Sequence, residues 1–319
     1  MRRALILGVT GQDGQFLANL LLKSNYIVLG VSRNLPNWKN NPLRLSRPNH
    51  KIIDVAKYED LFNLIETFLP DEIYNLSGES SIAKSSSNPA DTVSSNVLGV
   101  LNLLNVVKEI GLEKRVRIFQ ASSAYMFDSS SLQLNEKSPL SPNTPYGVSK
   151  FLAHQICLQY REEFGIWVSS GILFNHESEL RPQHFVFQKV TKALVEISKG
   201  KKKFLELGNL DIYRDWGYAS DYVVAMHKSL QADYPSDYVI ATGKLNSLRN
   251  LVEKTCEYLG LQDDWSSFVR IDPSLRRRLE IECIWGDPKL AEELLGWKAK
   301  TTFEEIIEKM VQANLSNVG

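Results

Sequence analysis

Tyr146 and Lys150 stand four residues apart in "TPYGVSK", at the start of a segment with helical spacing, so both side chains share one helix face. An ammonium close to a phenol favours the phenolate, which suits the pair to moving a proton on and off a hydroxyl near neutral pH. Tyrosine and lysine at this spacing are common, and the pair gains meaning from its companions. One is the strand end "QASSAYMFDS", Gln120 to Ser129, which follows the apolar run "VRIF" and carries four hydroxyl side chains but no carboxylate before Asp128. The other is "ALILGVTGQDGQFLANLLL", in which Gly8, Gly11 and Gly14 follow an apolar run and open a helical one. Glycines there permit a tight turn, close approach of backbone to a pyrophosphate and close helix packing, while the helix N-terminus presents N–H groups and the positive end of its dipole. The context predicts a dinucleotide site, to which Gln12 and Asp13 of the loop and Leu76 at the end of "EIYNL" are also assigned. The second strand ends in "GVSRN", where an acidic residue would receive the ribose hydroxyls of NAD; Ser32 and Arg33 offer donors to a 2′-phosphate and point to NADP.

The elements that must position these residues follow from the spacing of apolar runs. From residue 3 to about 175, "ALILG", "YIVLGVS", "KIID", "EIYNLS", "RVRIFQAS" and "WVSSGILF" alternate with helical patterns such as "DTVSSNVLGVLNLLNVVKEIG". Alternation of this kind predicts a Rossmann-like, doubly wound parallel α/β sheet over residues 1–175, with some later segments returning to it. Residues 176–319 carry more charge and more helix, and predict a smaller, mainly helical lobe that binds substrate. The polar stretch Asn34 to His50 is long for a connection.

The chain has 319 residues, with lysine plus arginine equal to aspartate plus glutamate at 37 each. No field of one sign exists to attract nucleic acid or an anionic membrane. "GKKKF" reads as a solvated helix exit. The three cysteines, Cys157, Cys256 and Cys283, have neither a CxxC nor a metal-ligand spacing, which fits a reduced, cytosolic setting and no metal. Glycine and aspartate interrupt the first apolar run, as a signal peptide would not allow, and no later run is long enough to span a membrane. His176 and His184, eight apart without an acidic partner at ligand spacing, do not make a metal site, and His154 reads as packing.

Taken in order, "GVTGQDG", "DEIYNLSGES", "NVLGVLNLL", "TPYGVSK", "GILFNHES", "LGNLDIYRDWGYASDYVVAM" and "GDPKLAEELLGWK" resemble the extended short-chain dehydrogenase/reductases that modify nucleotide sugars, and most of all the GDP-mannose 4,6-dehydratase type. The resemblance implies NADP, a GDP-hexose substrate, hydride transfer at the sugar C4 and a homo-oligomer. It implies catalytic roles for Ser123, Tyr146 and Lys150, an adenine contact at Asp54, for which a cap on the next helix is the equal alternative, and substrate contacts at Asn175, Lys189, Arg214 and Arg277. An arginine fork suits a diphosphate; the alternative for Arg214 is a salt bridge to Asp215 or Asp221. Trp216 is the one tryptophan with a candidate substrate role.

The chain departs from this type at the active strand. Where the dehydratases carry a glutamate that takes the C5 proton and helps the C6 hydroxyl leave, matching "QAS" places Tyr125, and a one-residue shift places Ala124. Hydroxyls alone support redox at C4, so a GDP-4-keto-6-deoxyhexose reductase or a C4 epimerase stands as the alternative to a dehydratase. Glu79, Glu177 and Asp128 are the carboxylates that could replace the missing one.

Overall fold

The computed structural model describes residues 1–34, 43, 45–128, 130, 132–261, 264–276 and 280–318. The apolar runs of the first half form strands β1 (Arg3–Leu7), β2 (Ile27–Ser32), β3 (Asn49–Ile52), β4 (Glu72–Asn75), β5 (Arg117–Ser123) and β6 (Trp167–Leu173). With a seventh strand, Asp237–Ile240, they make one sheet in the order β3-β2-β1-β4-β5-β6-(Asp237–Ile240). Every pairing in it is parallel. A parallel sheet is covered on both faces, which is why its inner strands read as unbroken apolar runs. Helices Tyr58–Phe68, Gly99–Glu109 and Pro145–Phe164 cover one face. Helices Gln12–Lys23 and Ala219–Ser229 cover the other, in a core continuous with the second half of the chain.

The order reverses between β1 and β4, and ligands of such sheets bind beyond the strand C-termini at this reversal. Gly8 leaves β1 there with φ of 88°, and a Cβ on it would lie 2.7 Å from the Leu76 carbonyl oxygen beyond β4. A Cβ on Gly14 would lie 2.5 Å from the Gly8 oxygen, so glycine lets the helix start directly on the loop.

The predicted helix "DTVSSNVLGVLNLLNVVKEIG" is present with a difference. Between the α-helical turns Pro89–Val93 and Gly99–Glu109, residues Ser94–Leu98 form a π-helical turn, which carries the buried Asn96 inward. The later half forms helices Val186–Ser198, Leu248–Tyr258 and Phe303–Val318, with short strands that bring Asn175–Glu177 beside Trp216–Tyr218. Trp216 is buried between Phe187 and Phe303, ring centroids 5.7 and 5.8 Å away. Most of the polar stretch from Asn34 to His50 lies outside the described residues. Among the described residues no helix is long and apolar enough to cross a membrane.

Candidate active site

A cleft of about 610 Å³ runs along the C-terminal ends of β1, β4 and β5 and beside residues of the second half of the chain. It is lined by Gly8, Gly11 and Gly14 at one end and by Ser123, Tyr146 and Lys150 in the middle. Asn175, Lys189 and Arg214 line it on the lobe side. Arg277 lies outside the described residues.

At the glycine end, Gly11 caps helix Gln12–Lys23 in an extended conformation with no side-chain cap, and the first-turn N–H groups border the cleft. Such a helix start fits a pyrophosphate. The side chains of Gln12 and Asp13 turn toward the lobe instead. Gln12 Nε2 donates to the His176 carbonyl (3.1 Å), its Oε1 accepts from Ser178 (2.7 Å), and Asp13 pairs with His176 Nε2 (2.9 Å). Farther along, the Ser32 hydroxyl is engaged with the Asn34 carbonyl (2.7 Å) and His50 Nε2 (2.8 Å), leaving the exposed Arg33 as the cation on this wall among the described residues. Asp54 accepts from Ala56 N (3.1 Å), closing a turn ahead of helix Tyr58–Phe68, whose N-cap is Lys57.

In the middle, Thr144 caps helix Pro145–Phe164, accepting from Gly147 N, and fixes the turn that carries Tyr146. Tyr146 is buried, and Ser123, at the end of β5, lines the same stretch of the cleft and favours its phenolate. Lys150 Nζ, 5.9 Å from the Tyr146 ring centroid, donates to the Ala121 carbonyl (2.9 Å). Burial pushes the phenol up to about 12, against the pull of Ser123. It also pushes the Lys150 ammonium down to about 8. The expected phenolate is therefore not what the chain alone arranges: burial outweighs the pull of Ser123 and Arg181, and Tyr146 holds its proton at neutral pH.

Tyr125 lines the cleft, its ring edge-on to that of Tyr146 with centroids 6.0 Å apart, whereas Ala124 is buried in the core. Asp128 does not line the cleft, and its carboxylate accepts from Asn143 (3.3 Å). Glu177 is buried 3.0 Å from Arg181, and burial still raises its pKa against the pull of that arginine. Glu79 lies in the loop after β4 and accepts from the backbone N–H groups of Ser80 (3.0 Å) and Ser81 (2.8 Å).

On the lobe side, Asn175 presents a buried side-chain oxygen with no hydrogen-bond partner, as a site awaiting a donor would. Lys189 donates to the Glu206 carbonyl (2.7 Å). Arg214 takes neither of the salt bridges considered for it: its guanidinium donates to the carbonyls of Tyr213 (2.8 Å), Ile281 (2.5 Å) and Glu282 (3.2 Å). Asp215 instead accepts from Thr242, Gly243 and Gly286, and Asp221 from Lys300 and Thr301. Trp216 borders the cleft from within the aromatic core.

Asn96 and Arg181 have no role in the sequence reading, and His176 and His154 none beyond the exclusion of a metal or packing. Asn96 accepts from Glu79 N (2.8 Å) and donates to Glu79 O (3.2 Å) and to Ser149 Oγ (2.9 Å), while Ser149 donates to the Tyr146 carbonyl (2.8 Å). This network ties the loop after β4 to the helix of Tyr146. His176 and Arg181 both line the cleft. His154 does more than pack, since its Nδ1 is 3.1 Å from the Ser122 hydroxyl behind the strand end. Among the described residues no cluster of three or more histidine, cysteine or acidic side chains could hold a metal.

Residues 5–310 match the family model "GDP-mannose 4,6 dehydratase". The chain is 37% identical to the GDP-mannose 4,6-dehydratase of Sinorhizobium fredii (strain HH103), over 98% of this chain and 96% of that protein. It is 36% identical to GDP-mannose 4,6 dehydratase 1 of Arabidopsis thaliana, over 98% and 89%. Among solved structures, RMD from Pseudomonas aeruginosa complexed with NADPH aligns with a TM-score of 0.84 at 23% identity, covering 99% of this chain and 100% of that one. The dTDP-glucose 4,6-dehydratase of Bacillus anthracis in complex with NAD aligns with a TM-score of 0.84 at 21% identity, covering 99% and 97%. These two likenesses concern the fold; the match along residues 5–310 and the identity to curated relatives over nearly their whole length carry the assignment. The chain belongs to the GDP-mannose 4,6-dehydratase family.

Proposed function

We propose that this protein is an NADP-dependent enzyme of a GDP-hexose, moving hydride at C4 and removing water between C5 and C6, as a GDP-mannose 4,6-dehydratase does. The observation that carries the reading is that Ser123, Tyr146 and Lys150 line one cleft with the glycine loop. NADP would be held by the N–H groups at the start of helix Gln12–Lys23, by Arg33 at the 2′-phosphate, by Asp54 at the adenine and by Lys150, and it supplies the hydride acceptor and donor. Ser123 and Tyr146 orient the C4 oxygen, and the phenol gives or takes its proton. Lys150 uses one of its three donors on Ala121, keeping the others for the cleft. Asn175, Lys189, Arg214 and Arg277 serve the sugar nucleotide in this reading. Three free cysteines suit a reducing compartment such as the cytosol. A homo-oligomer belongs to the proposal as well: the apolar stripe of Gly99–Glu109 is core, yet Val93, Leu98, Val148 and Leu152 on adjacent helices stay 40–44% exposed.

A second reading, a GDP-4-keto-6-deoxyhexose reductase or C4 epimerase, is favoured by one observation: the cleft wall after β5 presents Tyr125 and no carboxylate. Incubation with GDP-mannose and NADP⁺, followed by mass spectrometry, separates the two. A product lighter by one water supports the dehydratase. No water loss, with NADPH consumed when a GDP-4-keto-6-deoxyhexose is supplied, establishes the reductase in its place.

A further inference from the structure

Dehydration needs a base for the C5 proton, and among the described residues five carboxylates line the cleft: Asp13, Asp54, Glu79, Glu177 and Glu280. Four are committed or misplaced. Asp13 is held by His176 at 2.9 Å and Glu177 is buried beside Arg181 at 3.0 Å. Glu280 is carried by the lobe, where it accepts from Asn209 (3.3 Å). Asp54 follows β3, four strands from β5, or roughly 19 Å at about 4.8 Å per strand. Glu79 differs in both place and freedom. It follows β4, the strand between β1 and β5, so its loop stands between the glycine loop and Ser123. Ser80 N and Ser81 N fix its Oε1, while Oε2 has only a 3.9 Å contact with Lys84 and the side chain remains 24% exposed. Asn96 and Ser149 join its backbone to that of Tyr146.

Resting on the dehydratase reading, we infer that Glu79 is the catalytic base that replaces the glutamate absent from the strand end. The C5–H bond of the 4-keto sugar breaks, its proton passing to Glu79 Oε2 and its electron pair forming the C5=C6 bond as the C6–O bond breaks. The departing hydroxide takes that proton and leaves as water, which returns Glu79 to the carboxylate. The carboxylate also sits close enough to Tyr146 to oppose ionisation of its phenol, in keeping with a shared site.

The test uses the full-length protein. With NADP and the GDP-4-keto-6-deoxyhexose in deuterated water, wild type exchanges the C5 proton, read by mass spectrometry. Glu79→Gln is expected to slow that exchange, and water loss from GDP-mannose, by at least about 10²-fold. It should still form reduced cofactor from GDP-mannose in a single turnover and bind NADP as wild type does. Glutamine keeps the oxygen that accepts from Ser80 and Ser81, and Glu79→Asp should recover part of the exchange. Exchange by Glu79→Gln within threefold of wild type overturns the assignment, as does loss of NADP binding together with exchange. Wild type that neither reduces cofactor with GDP-mannose nor releases water overturns the dehydratase reading itself.

Discussion

Tyr146 holds its proton up to about pH 12, and Lys150 its charge only up to about 8, because the same burial penalises both charged forms. An ordinary lysine keeps its ammonium to near 10.5. In the direction that reduces a C4 ketone, Tyr146 thus remains a donor across the working range. Any alkaline fall in rate near pH 8 belongs to Lys150. Lys150→Arg, which keeps its charge, should move that fall upward by more than one pH unit even if the rate itself drops; an unmoved limb would assign it elsewhere. Tyr146→Phe should lower turnover by at least about 10²-fold while NADP binding, followed by calorimetry, stays within threefold. Arg33→Ala tests the other end of the cleft. A cation over a phosphate gives a charge-assisted hydrogen bond that NAD cannot form, so affinity for NADP should fall about tenfold or more and affinity for NAD hardly at all. Equal losses for both would remove the 2′-phosphate contact.

Elements hold these residues through contacts that are specific to the backbone. A Cβ on Gly147 would come within 2.3 Å of the Tyr125 carbonyl oxygen, so the first turn of helix Pro145–Phe164 rests directly on the turn after β5. Gly147→Ala must push the two apart, at a cost of about 1–3 kcal/mol, and with them Tyr146 and Ser123. The expected result is a lower melting temperature and a lower kcat with KM for NADP little changed; a fall confined to KM would place the damage at the glycine loop. The strands, the glycine loop and the Tyr-Lys pair were legible because each is a local pattern: apolar runs, three glycines, two residues on one helix face. What escaped depends on residues far apart in the chain. Asn96 meets Ser149 across 53 residues, and nothing in "SSNVL" announces a π-helical turn. The bonds from Arg214 to the backbone carbonyls of Ile281 and Glu282, 67 and 68 residues away, could not be read from "YRDW". Gln12 and Asp13 sit in the cofactor loop by sequence, but their side chains serve the lobe.

That last displacement matters for the molecule as a whole, because the two halves of the cleft must keep their register. Asp13, at the start of the first helix, and His176, on the strand Asn175–Glu177, join them through one ion pair. The imidazole donates its other proton from Nδ1 to the Phe174 carbonyl (2.7 Å) and stacks on Tyr222 with centroids 4.5 Å apart. Burial alone would lower the His176 pKa, yet Asp13 and the Phe174 carbonyl raise it above 6.5. Burial would raise that of Asp13, and His176 holds it below 3.8. The signs fix the pH window. The contribution of His176 is complete below its unfolded value of 6.5 and is lost as pH rises through the raised folded value; that of Asp13 is complete above 3.8 and is lost only as pH falls below it. The tie is therefore strongest between roughly pH 4 and 6.5 and loosens toward alkaline pH. His176→Gln keeps a neutral donor for Asp13 but has no proton to lose. It should cost about 1–3 kcal/mol at pH 6. Between pH 6 and 9 its melting temperature should fall less than that of wild type. If both proteins lose stability in parallel over that range, the alkaline weakening lies outside this pair, and Asp13 and His176 align the cleft without making it sensitive to pH.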